Sequence, residues 1–147
     1  MLTYTIDRID HKNAGIAREW ALCKHYHINR TSHDNLPYDK GSDLDTASKH
    51  ISIKASGFTL MSGSLCEGRE SFDGIWALYE SRVHSDTFAY VTNDYTVYEM
   101  SLAEFKRFVY AFAVTARDSE KNGGHTKIRM HKESKKMLDW LSEQIPS

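Results

Sequence analysis

Two short segments, Gly41-Ser42-Asp43-Leu44-Asp45 and His50-Ile51-Ser52-Ile53-Lys54, read together as a β-hairpin closed by the turn-like residues Thr46 to Lys49. Successive side chains of a strand point to opposite faces. The second segment therefore sets Ser52 and Lys54 on one face and Ile51, Ile53 and Ala55 on the other. The first segment sets Asp43 and Asp45 together.

Outward from the hairpin, helical and strand signals alternate. Asn13 is a plausible N-cap for a helix reaching His27, with Ile16, Trp20, Cys23 and His27 at helical spacing. A polar loop, Asn29 to Lys40, contains Pro37. Phe58 to Met61 extends a strand after the hairpin. Phe72 to Val83 suits a helix with Ile75, Trp76 and Tyr79 on its apolar side. Thr87–Val91 and Thr96–Met100 are rich in β-branched and aromatic residues, with Asn93-Asp94 as a tight turn between them. Ser101-Leu102-Ala103-Glu104 is a capping box, opening a helix to about Ala116 with Phe105, Phe108, Val109, Phe112 and Ala113 on one stripe. Asn122-Gly123-Gly124 is a turn before a strand Thr126–Met130. A last helix, Lys132 to Gln144, turns Met137, Leu138 and Leu141 inward. The order α–β–β–α–β–β–α–β–α predicts a single α/β domain with one mixed sheet flanked by helices.

Composition sets the outer bounds. The 147 residues suffice for one domain with a core. The aromatic content of 12% argues against disorder. No apolar run approaches a membrane span, and the N-terminus lacks signal-peptide features. Two cysteines, Cys23 and Cys66, make no disulfide framework, which points to a reducing cytoplasm. Net charge is −1, yet Arg117 to Lys136 holds seven cations against three acids. Such a segment either contacts phosphates or is a solvated helix face.

A carboxylate beside a lysine on paired strands can hold a divalent metal and promote attack on a phosphodiester. Asp43 is the candidate metal ligand, Lys54 the assisting cation, and the Ile53 carbonyl a further donor. Glu19, on the first helix, is placed to reach over the sheet and hold a metal-bound water. Taken in order, Glu19 on a helix, Asp43 on a strand and Ser52-x-Lys54 on its partner resemble the PD-(D/E)XK nuclease superfamily. The motif support covers residues 13 to 56.

The resemblance implies a restriction-endonuclease-like fold and magnesium- or manganese-dependent cleavage of DNA. It matches Asp43 to the motif aspartate, Lys54 to its lysine and Glu19 to the first-helix glutamate. The acidic position before the lysine is Ser52, which is a poor magnesium ligand beside a carboxylate and belongs in or next to the metal's shell. A Ser-x-Lys subgroup of restriction endonucleases supplies the missing glutamate further on, and Glu67 has that spacing here. Glu70 and Asp45 are alternatives. If none of them reaches the metal, the domain binds nucleic acid without cutting it.

Lys127 and Arg129 share one face of a strand, which suits phosphate contacts or guards an exposed sheet edge. His33 stands in the loop entering the hairpin, where it either meets substrate at a cleft mouth or is one more polar loop residue. Cys23, His25 and His27 lack the paired ligands of a zinc site. Walker, dinucleotide and serine-hydrolase motifs are absent. The expected partner is DNA, with RNA as an open alternative, and a homodimer is the simplest way for so small a chain to cut both strands. The small size and lack of an appended recognition domain suggest a phage or mobile-element protein. A protein-interaction domain without nucleic acid is the rival from a different class.

Overall fold

The helix caps form where the local sequence demands them. The Ser101 hydroxyl accepts the Glu104 N–H at 3.2 Å, and the Glu104 carboxylate accepts the Ser101 N–H at 3.0 Å. Asn13 Oδ1 accepts the Ile16 N–H at 3.1 Å. Ser71 and Ser134 cap two further helices in the same way. The computed structural model describes residues 1–28, 44–61, 71–117 and 126–146. The elements are β1 (Leu2–Thr5), α1 (Ala14–His25), β2 (Leu44–Asp45), β3 (His50–Lys54), β4 (Thr59–Met61), α2 (Phe72–Arg82), β5 (Thr87–Val91), β6 (Thr96–Ser101), α3 (Leu102–Phe112), β7 (Ala113–Arg117), β8 (Thr126–Met130) and α4 (Lys135–Glu143). The loop at 29–40 and the turn at 122–124 lie outside the described residues.

The fold is mixed α/β, but the strands make two sheets where one was expected. Five strands run in the order β1-β6-β5-β3-β2, and three in the order β4-β8-β7. In the larger sheet β3 and β5 are parallel, with α2 between them in the chain, and the other neighbours are antiparallel. Its two faces differ. Ile51, Ala89, Val91 and Val97 pack beneath Ala21, Leu22 and Cys23 of α1. Phe88, Tyr90, Tyr98 and Met100 pack on the opposite side with α2, α3, α4 and the smaller sheet. Phe105 lies at the centre of that second core, fully buried and stacked on Phe88 with ring centroids 4.4 Å apart. No helix among the described residues is long and apolar enough to cross a membrane.

Several local expectations are corrected by tertiary pairing. The apolar stripe of α3 runs on to Ala113, but the helix ends at Phe112 because Ala113–Arg117 pairs antiparallel with β8. The buried face of α1 is Ala17, Arg18, Ala21, Leu22 and Cys23. Trp20 lies outside, 37% exposed, edge-on to His11. The small alanines let this helix sit close to the sheet, which a tryptophan would prevent. The β5–β6 loop is four residues long, Thr92-Asn93-Asp94-Tyr95, and the left-handed position falls on Tyr95 at φ 64°. β8, a candidate edge strand, is the middle strand of its sheet.

Candidate functional site

β3 pairs with β2 on one side (Leu44↔Ile51, Asp45↔His50) and with β5 on the other (Ser52↔Phe88, Lys54↔Tyr90). Ile51 and Ile53 face the core beneath α1, so alternation turns Ser52 and Lys54 to the face of Phe88 and Tyr90. That matches the expected sidedness of the hairpin. Ser52 is 6% exposed, and its hydroxyl lies 2.9 Å from the Ser85 hydroxyl. It ties β3 to the segment leading into β5. Lys54 is half-buried, its ammonium 5.6 Å from the centre of the Phe58 ring, a cation–π distance.

The remaining candidates are scattered. Asp45 pairs with His50 across the hairpin at 2.9 Å, and that carboxylate raises the His50 pKa. Glu19 stands on α1, the helix of the Ile51–Ile53 face, so the structure does not bring it to the Lys54 face. Asp43, Glu67, Glu70 and His33 lie outside the described residues. Lys127 and Arg129 do share one face of β8, because Ile128 and Met130 are buried on the other. Cys23 is buried in the core and His25 stacks on Tyr4 at 4.4 Å.

The described residues alone do not compose a magnesium or manganese shell. Among them no group of three His, Cys, Asp or Glu side chains could hold a metal ion. The Ser52 hydroxyl is engaged by Ser85 and the Asp45 carboxylate by His50. A hard cation needs several free oxygens at once.

Sequence reasoning missed two polar clusters. At the carboxyl ends of β3 and β5, the Glu133 carboxylate accepts from the Tyr90 hydroxyl and the Asn93 N–H, each at 3.2 Å. Its own N–H donates to Ser56 Oγ at 2.8 Å. Burial, and then the Glu133 charge, push the Tyr90 pKa up. Arg18 reaches the same corner from α1, donating to Asn93 Oδ1 at 3.2 Å. Beneath α1, Glu99 is 4% exposed and accepts from Tyr4, Tyr26 and the Lys49 ammonium, the last at 2.8 Å. Burial raises the Glu99 pKa, but the bonds from Lys49, Tyr26 and Tyr4 outweigh it and hold the carboxyl below its ordinary range. A lone Glu in an apolar strand, Val97-Tyr98-Glu99-Met100, was the available signal, since a buried carboxylate requires partners.

A third feature is cationic. Arg129, His131, Lys132 and Lys136 line an open groove of about 550 Å³ with Ala111, Phe112 and Ser134. No family model, no curated protein and no solved structure matches this chain.

Proposed function

We propose that this chain is a metal-dependent endonuclease that hydrolyses phosphodiester bonds of DNA, built as a restriction-endonuclease-like variant of the mixed α/β fold. The observation that carries the reading is the position of Lys54. It ends β3 on the same face as Ser52, in the parallel pair formed with β5. Ligands of open α/β sheets gather beyond the carboxyl ends of parallel strands. An ammonium there would orient the attacking water and steady the charge that develops on the phosphate. Asp43, with Glu67, would hold magnesium or manganese, which would neutralise the phosphate and lower the pKa of bound water. A homodimer would let the chain cut both strands.

The test is plasmid cleavage with magnesium or manganese. Asp43→Ala and Lys54→Ala should each abolish it. Cleavage that survives both substitutions would sink the proposal.

A second reading, a DNA-binding module that does not cut, is favoured by one observation. Ser52 is buried against Ser85 and so is not offered to a metal. Binding that persists in EDTA, with no cleavage under either metal, would select it.

A further inference from the structure

The groove at the start of α4 gathers four basic side chains among its lining residues. Arg129 enters from the outer face of β8, and His131, Lys132 and Lys136 enter from the segment that leads into α4. Among the described residues no carboxylate lines the groove. Among the described residues none of these four side chains makes an ion pair, whereas the neighbouring Lys135 is paired with Asp139 at 3.0 Å.

α4 makes the excess more costly. Its first turn carries Lys135 and Lys136 and no acid. The N-terminal end of a helix is the positive end of its dipole and favours anions. The acid nearest in sequence, Glu133, is turned inward to Tyr90 and Asn93. Edge protection does not account for Arg129 either, because β8 is flanked by β4 and β7. A helix N-terminus flanked by such cations suits an anion supplied from outside.

The groove also adjoins the end of β3. Ser56 Oγ holds the Glu133 N–H, and a Cβ on Gly57 would stand 3.6 Å from Lys132 Cγ. The residues just after Lys54 therefore touch the segment that lines the groove.

We infer that this groove grips the phosphate backbone of DNA, through Arg129, Lys132 and Lys136. The inference rests on the DNA reading above and names the surface that would hold the substrate beside Lys54. Backbone contacts of this kind position a duplex without reading its sequence.

The experiment is fluorescence anisotropy with a fluorescein-labelled DNA duplex, titrated in EDTA over a series of KCl concentrations. The wild type is compared with the triple variant Arg129→Ala, Lys132→Ala, Lys136→Ala, and with Lys135→Ala as a control outside the groove. All four side chains are exposed, so the variants should keep the wild-type melting curve. Each phosphate contact contributes roughly 0.9 to the slope of log K against log salt, so the triple variant should flatten it by about 2.7. The control should leave it unchanged. A wild type that binds, with a triple variant of equal slope and affinity, would overturn the groove and leave the DNA reading standing. A wild type with no salt-dependent association would remove both. Complete displacement of the duplex by inorganic phosphate at matched ionic strength would make the groove a small-anion site and overturn the inference.

Discussion

The hydroxyls of Ser52 and Ser85 lie 2.9 Å apart in the interior, although 33 positions separate them in the chain. One donates and the other accepts, so each satisfies the other where water does not reach. Removing one hydroxyl takes a buried hydrogen bond from the other, which costs about 0.5–1.5 kcal/mol, whereas removing both spares part of that loss. Ser52→Ala should therefore destabilise the protein by about 0.5–1.5 kcal/mol in urea denaturation. Adding Ser85→Ala should recover part of that loss. Additive losses in the double-mutant cycle would mean that the two hydroxyls do not act as a pair.

Glu99 makes stability depend on acid pH. Its carboxyl is held below the ordinary range by Lys49, Tyr26 and Tyr4 against the effect of burial. A depressed folded-state pKa means that the unfolded chain takes up the proton first. The stabilisation is complete above the ordinary Glu value of about 4.3 and drains away as pH falls below it toward the folded-state pKa. Glu99→Gln should therefore flatten the fall of melting temperature on the acid side. The same steepness in wild type and variant would assign the acid response to other carboxylates, with Asp94 and Glu104, also held low, the first to examine.

Phe105 is the residue on which the larger core converges. It is fully buried and makes ring contacts with Phe58, Trp76, Tyr79 and Phe88. Phe105→Ala should cost about 3–5 kcal/mol by combining lost transfer energy with a cavity. Thermal or urea unfolding measures it directly. A loss below about 1 kcal/mol, the scale of an average point mutation, would contradict this packing.

Lys54 separates chemistry from packing. Its ammonium sits against the Phe58 ring in a half-buried position, so Lys54→Met keeps most of the apolar stem and removes the charge. Loss of a preorganised charge at a reacting phosphate typically costs about 10²–10³ in rate. The variant should lose cleavage by about that factor while its melting point moves little. A stable variant that still cuts at the wild-type rate would take the catalytic role away from Lys54.

Part of this was legible in the chain. The capping box at Ser101, the N-cap at Asn13 and the β-branched strands around Asn93-Asp94 rest on signals a few residues long, and the elements form close to where those signals stand. β1 was not legible, because Leu2–Thr5 is four residues with no residue fully buried. β7 was not legible because its first residues continue the helical stripe of α3, and only pairing with β8 makes them a strand. Within the candidate site, the shared face of Ser52 and Lys54 followed from alternation alone. The partnership of Ser52 with Ser85 did not, nor did the inward turn of Glu133.

The sequence by itself determined which side chains share a face of an element, since that depends on a local period of 2 or 3.6 residues. It therefore placed Ser52 with Lys54, and Lys127 with Arg129. Only the tertiary structure decided what each face meets. The parallel pairing of β3 with β5 brings Ser85 to Ser52, α1 covers the side away from Lys54, and β8 between β4 and β7 sets Arg129 beside the start of α4. Such contacts join residues far apart in the chain, and their free energy is realised only when the core assembles as a whole.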